Sequence, residues 1–125
     1  MIIGVGTDAL EIDRMAAAMK RRGKSFERRV FTEGEAAYCK RKKDSASSFA
    51  ARFAAKEAMM KSLGRGLFQG MAFKDIEVVR DPRGKPGIKL SGGAKEIFEE
   101  MGGKSTHVSL THSKGLAVAV VIVEG

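Results

Sequence analysis

The sequence predicts an α+β fold: a single compact domain with a mainly antiparallel sheet packed on a long central helix. Three observations carry this. The 125 residues are enough for one hydrophobic core and point to one domain, 1–125. Strand-period and helix-period segments are mixed, without an internal repeat or a repeating strand–helix–strand unit, so the strands should pair mainly as antiparallel neighbours. Residues 49–64 read as a helix that is apolar almost all round. Phe49, Phe53, Met60 and Leu63 make one stripe, and alanines 50, 51, 54, 55 and 58 cover most of the rest. Such a helix belongs inside the molecule or in a subunit contact.

The other elements follow in order. Residues 2–12 alternate as a strand, with Ile2, Gly4, Gly6, Asp8, Leu10 and Ile12 sharing one face. A helix is expected from Asp13 to about Arg22, ended by Gly23, with a short amphipathic turn or helix bearing Phe26 over 24–30. Thr32, followed three residues later by Glu35, is a capping box that starts a helix running to about Arg41. The alanine-rich helix begins near residues 45–48 and stops at Gly64, a natural C-terminal cap. Residues 75–80 and 87–90 read as paired strands around the turn Asp81-Pro82-Arg83-Gly84. Ser91 is placed to cap a helix through Ile97 and Phe98, ended by Gly102-Gly103. Residues 106–111 and 116–124 form a hairpin around Ser113-Lys114-Gly115, and the last strand, apolar on both faces, should be central in its sheet.

Composition narrows the function classes. With 43% hydrophobic and 30% charged residues, this is an ordinary globular chain. The longest apolar run, 116–123, is too short to cross a bilayer, and from the strand pattern at the start no signal peptide is expected. One cysteine, Cys39, excludes an internal disulfide framework, so a cytoplasmic location is expected. The formal charge is +8, with basic clusters at Lys20-Arg21-Arg22 with Lys24, Arg28 and Arg29, and at 40–43. An anionic partner is implied. Composition by itself points first to nucleic acid. Against this, the chain has one Tyr, no Trp, and phenylalanines at core spacing, so no stacking platform is visible.

Two acids stand out. Asp8 is in phase with apolar residues, and Gly4 and Gly6 leave room beside it for a ligand or another backbone. Glu57 sits at the edge of the apolar helix, one turn before Lys61. Both have simpler readings: Asp8 paired with Arg14, and Glu57 paired with Lys61. Inward carboxylates on two elements, with a lysine beside one of them, instead suggest a site for a divalent metal and a phosphate.

Several motifs together resemble one family. Gly4-Val5-Gly6-Thr7-Asp8 with Glu11-Ile12-Asp13-Arg14 is similar to the opening of the holo-acyl-carrier-protein synthases, and Arg52-Phe53-Ala54-Ala55-Lys56-Glu57-Ala58 with Lys61 to their second motif. Phe31-Thr32-Glu33 with Glu35, Asp81 with Gly84-Lys85-Pro86, and residues 107–113 resemble the remaining blocks, in order. The resemblance implies the 4′-phosphopantetheinyl transferase fold and transfer of 4′-phosphopantetheine from coenzyme A to a serine of apo-acyl carrier protein, for fatty-acid synthesis. It also implies Mg²⁺ and a homotrimer with active sites between subunits. Asp8 and Glu57 would hold the metal, and Lys61 would neutralise charge on the diphosphate. The serine proton would go to Asp8 or to a metal-bound water. Coenzyme A would meet Arg52, Lys61, Gly64, Lys85, Pro86 and the polar strand face of His107, Ser109 and Thr111. His112, on the opposite face, reads equally as a core histidine. The acidic carrier would dock on Arg14, Arg21, Arg22, Phe26 and Arg29, with no role for nucleic acid or membrane. The alternative is a basic nucleic-acid or ribosome-associated module. Inward acids at 8 and 57 argue against it, because a binder of phosphate backbones gains nothing from them.

Overall fold

The structure is a computed structural model that describes residues 1–64 and 69–125. Its elements run β1 (Ile2–Glu11), α1 (Ile12–Val30), α2 (Glu33–Lys40), α3 (Ser45–Ser62), a 3₁₀ turn at Phe73–Asp75, β2 (Ile76–Arg80), β3 (Pro86–Leu90), α4 (Gly92–Glu100), β4 (Ser105–Ser113) and β5 (Leu116–Glu124). The strands form two antiparallel sheets, β1-β5-β4 and β2-β3. The α+β class and the central place of the last strand are as expected. Among the described residues no helix is long and apolar enough to cross a membrane.

The core lies between α3 and the three-stranded sheet. Ala117, Ala119, Val121 and Val123 of β5 are fully buried, as are Ala50, Ala54, Ala55, Ala58 and Met59 of α3. Small residues on both sides let helix and sheet approach closely. A Cβ on Gly6 would stand 1.8 Å from the Ala58 carbonyl oxygen, and one on Gly4 would stand 2.2 Å from that of Ser62. The room beside Asp8 is therefore taken by the backbone of α3.

The other face of β5 tells a different story. Leu116 and Val120 are 40% and 38% exposed, and Val5 on β1 is 59% exposed. The strand is apolar on both faces, but this chain covers only one of them. Ile2, expected inward, is exposed. The register with β5 shifts between Ile2 and Gly4, and this bulge turns Ile3 inward in its place.

Local signals held in detail. Gly23 adopts φ 65°, ψ −148° and breaks α1 into two pieces. The Thr32–Glu35 capping box is complete. Gly64, at φ 74°, follows the C-cap of α3. Lys114 and Gly115, both at positive φ, close the β4–β5 hairpin. Ser91 is the exception. It precedes α4 without a side-chain cap, and its hydroxyl points to the Asp75 carbonyl instead.

The small sheet is tied to the helices by a buried ion pair. Lys56 Nζ lies 2.7 Å from Glu35 Oε1, and both side chains are 0% exposed. Lys56 also donates to the carbonyls of Phe73 and Ile76, and Glu35 accepts from the amides of Thr32 and Val78. Every polar atom of the pair is thereby engaged, which a buried pair requires.

Candidate active site

The close approach at Gly4 and Gly6 decides which α3 residues meet β1. Ala58 and Ser62 sit over the glycines, so Glu57 and Lys61, their immediate neighbours in sequence, fall at the edge of the contact, where Asp8 lies. Lys61 Nζ is 3.0 Å from Asp8 Oδ1 and 3.1 Å from the Thr7 carbonyl oxygen. Asp8 is 18% exposed at its side chain and Lys61 54%. Among the described residues no ion pair joins Glu57 to Lys61, nor Asp8 to Arg14. The simpler pairings suggested by the sequence are not the ones made.

Glu57 is half-buried. Burial pushes its carboxyl up from the usual glutamate value, the Asp8 charge adds to that, and Lys61 opposes it. Two carboxylates near enough to repel, with one partly desolvated, form an oxygen-only donor set short of positive charge. Among the described residues no cluster of three or more His, Cys, Asp or Glu gathers to hold a metal. Two protein carboxylates, with the rest of the shell left to water and substrate phosphate, suit Mg²⁺, which keeps several waters.

A second cluster lies on the far side of α3. Arg52 is 2% exposed, and its Cζ lies 4.1 Å from the centre of the Tyr38 ring. Lys42 Nζ and Arg80 Cζ approach the same ring at 4.7 and 5.4 Å. Together with Ser48, Thr111 and His112 these residues line a cavity of about 430 Å³ that has no acidic residue in its wall. Burial pushes the Tyr38 hydroxyl up, but a hydrogen bond with Lys42 and the charges of Arg80 and Arg52 outweigh it, so its pKa falls below the usual value. Arg52 Nη1 donates to the Ser48 carbonyl at 3.3 Å, and its Nε is buried without a partner. A buried guanidinium without a carboxylate is costly, and a bound anion would offset that cost.

A third feature is a groove of about 390 Å³ along α1, with Arg14, Arg21 and Arg22 on its rim and Met15, Phe26 and Phe53 among its apolar walls. Arg22 Cζ sits 4.8 Å over the Phe26 ring. Arg29 is exposed and does not line this groove.

The sequence-predicted residues thus fall into three groups. Asp8, Glu57 and Lys61 come together. Arg52 and Thr111 come together elsewhere, joined by His112, which is exposed rather than in the core. Arg14, Arg21, Arg22 and Phe26 share the α1 groove. The rest are dispersed. His107 Nε2 meets Glu124 Oε1 at 2.5 Å, and Ser109 is exposed on the outer sheet face. Lys85 and Pro86 stand at the start of β3, where the Asp81 carboxylate accepts from the Lys85 amide. Gly64 is exposed after α3. Sequence reasoning missed Tyr38, Lys42 and Arg80 as pocket residues. Lys42 was visible only as part of a basic run, and nothing local places Arg80 beside Arg52.

Comparisons with known proteins point to one family. The pattern of the 4′-phosphopantetheinyl transferase superfamily matches residues 4–121. A holo-[acyl-carrier-protein] synthase from Syntrophus aciditrophicus is 46% identical over 125 residues, covering 100% of this chain and 98% of that protein. The fold superposes on the crystal structure of the holo-[acyl-carrier-protein] synthase of Neisseria meningitidis with a TM-score of 0.91, at 30% identity and 100% coverage of both chains. It superposes on the Helicobacter pylori enzyme in complex with coenzyme A with a TM-score of 0.85, at 35% identity, covering 96% of this chain and 99% of that one.

Proposed function

The chain belongs to the 4′-phosphopantetheinyl transferase superfamily, and from that premise we propose that it moves the 4′-phosphopantetheine group of coenzyme A onto a serine of apo-acyl carrier protein, releasing adenosine 3′,5′-bisphosphate. The observation that carries this reading is the convergence of Asp8, Glu57 and Lys61 at an open edge of the β1–α3 contact. Residues 1–125 act as one transferase domain, in the cytoplasm, serving fatty-acid synthesis.

In this reading Asp8 and Glu57 hold Mg²⁺. When bound, the ion neutralises and orients the diphosphate of coenzyme A. Lys61, held by Asp8 and the Thr7 carbonyl, faces the same diphosphate as a point charge. Asp8 takes the proton of the carrier serine as the serine oxygen attacks the β-phosphorus. The bond from that phosphorus to the bridging oxygen breaks, and the adenosine-bearing phosphate leaves with the electron pair. Arg52, Arg80 and Lys42 bind phosphate at the adenosine end of coenzyme A; the unpartnered buried Nε of Arg52 and the acid-free wall of the cavity support this. The basic groove of α1 receives the acidic carrier.

Two features support a homotrimer with sites between subunits. Arg52 and Lys61 are nine residues apart, about 180° round the helix, so one copy presents its metal edge and its basic pocket in opposite directions. One coenzyme A engaging both then needs two copies. The uncovered apolar face of Leu116, Val120 and Val5 gives those copies a surface to share.

The test is the mass of apo-acyl carrier protein incubated with this protein, coenzyme A and Mg²⁺. A gain of about 340 Da that is lost with chelator, and lost in Asp8→Ala and Glu57→Ala, is the expected result. No gain from folded protein, together with salt-sensitive binding of RNA, would replace the reading with the basic-module one.

A further inference from the structure

We propose that the buried Glu35–Lys56 pair is a positioning element: it stands in for a missing third strand beside β2 and thereby sets Arg80 against the Tyr38–Arg52 pocket. The inference rests on reading that pocket as the coenzyme's phosphate site.

The hydrogen bonds of β2 carry the argument. The Ser91 amide donates to the Asp75 carbonyl at 2.9 Å, and the Asp81 amide to the Lys85 carbonyl at 3.0 Å. Odd-numbered residues from 75 to 81 therefore aim their backbone groups at β3, and even-numbered ones aim away. On that open side the Val78 amide donates to Glu35 Oε2 at 2.8 Å, and Lys56 Nζ donates to the Ile76 carbonyl. A neighbouring strand would supply the same pattern, an acceptor for residue 78 and a donor for residue 76. Here two side chains supply it, and they bond each other at 2.7 Å. A lone two-stranded hairpin is marginal in water, and buried backbone groups without partners are costly. Leucine or methionine would fill the space but could satisfy neither group.

The consequence runs to the pocket. Arg80 is the next residue on the open side of β2, two past Val78, and its guanidinium reaches the Tyr38 ring with that of Arg52. Arg52 lies one turn before Lys56 on α3, and Tyr38 lies one turn after Glu35 on α2. The pair therefore locks the three elements that bring Tyr38, Arg52 and Arg80 together. Thr32 Oγ1, donating to Glu77 Oε2 at 2.6 Å, adds a second tie between α2 and β2. The attraction between the two buried charges itself adds little net stability over apolar side chains of the same volume, so beyond satisfying these backbone groups the pair contributes geometry.

The test uses the full chain with both charges removed at similar volume, Glu35→Leu with Lys56→Met. Expected are a folded protein, Val78 amide exchange at least about tenfold faster while Val121 is unchanged, and adenosine 3′,5′-bisphosphate binding and the KM for coenzyme A weakened about tenfold or more, as for loss of a positioned charge contact. The KM for carrier protein and kcat at saturating coenzyme A should stay within about threefold, because no residue of β2 lines the α1 groove or the Asp8 edge. A folded variant with wild-type exchange and nucleotide affinity overturns the proposal. So does a uniform fall in every kinetic constant, which is the mark of a merely structural pair. Should the variant not fold, the wild-type amides decide. Protection of Val78 equal to that of Val79, which bonds to β3, upholds the tether, and exchange at the rate of an open strand edge refutes it. If the wild type binds no nucleotide, the reading of the pocket fails, while the exchange of Val78 still judges the tether.

Discussion

Gly6→Ala adds one methyl group and should disable this protein. The new Cβ would lie 1.8 Å from the Ala58 carbonyl oxygen and 2.8 Å from the Ser62 amide nitrogen, where ordinary contact begins at 3.4 Å. Both neighbours are backbone of α3, so no side chain can swing aside. Helix and strand must part by about 1.6 Å, in a core packed as densely as an organic crystal. Overpacking of this kind costs about 3 kcal/mol, a large part of the ~5–15 kcal/mol that holds a domain together. For a chain of this size that lowers the melting temperature by roughly 10 °C. The same shift draws Glu57 and Lys61 off Asp8, and a displacement of about 1 Å at reacting groups can lower the rate about 100-fold. Thermal denaturation followed by circular dichroism, with carrier-protein mass gain on the fraction still folded, measures both effects. Gly87→Ala is the control, since its Cβ would meet only Val79 Cγ2, at 3.8 Å. A Gly6→Ala protein with normal melting and a normal transfer rate would refute the close-approach account of how the site is built.

Three further outcomes are expected. Glu57 is raised above its usual value of 4.5, so its contribution to stability is complete below that pH and is lost as the pH rises through the folded value. Glu57→Gln should therefore melt higher than wild type at pH 7 with chelator present and match it below pH 4.5, while transferring nothing. Cys39 is fully buried and its thiol is pushed up to about 11, chiefly by burial. A thiol reagent at neutral pH should thus label it only at the rate of unfolding. Val120→Glu places a charge on the uncovered apolar face of β5, which is already open in the single chain. It should leave the fold intact, yield monomers by sedimentation and abolish transfer; a trimeric, active variant would remove this face from the assembly.

Most secondary elements were legible because their signals are local. The Thr32–Glu35 capping box, the break at Gly23, the stop at Gly64 and the turn at Lys114-Gly115 each follow from one residue's backbone preference or one side chain's reach. Where local logic failed, a contact distant in sequence had intervened. The register shift against β5 put Ile3 in the place of Ile2. The Asp75 carbonyl drew the Ser91 hydroxyl away from capping.

The sequence by itself determined the α+β class and the buried helix and singled out Asp8, Glu57 and Lys61, since periodicity shows which positions face inward and an inward acid demands a partner. It also marked Glu35, but only as the capping partner of Thr32. Tertiary structure alone decided that this carboxylate meets Lys56 and the edge of β2, that Tyr38, Lys42 and Arg80 gather round Arg52, and that Lys61 chooses Asp8 over Glu57. These are pairings between residues up to 53 positions apart. The physical reason is that the backbone period fixes a side chain's direction, whereas its partner is fixed by which surfaces can approach, and here that was set by two glycines too small to hold α3 away from β1.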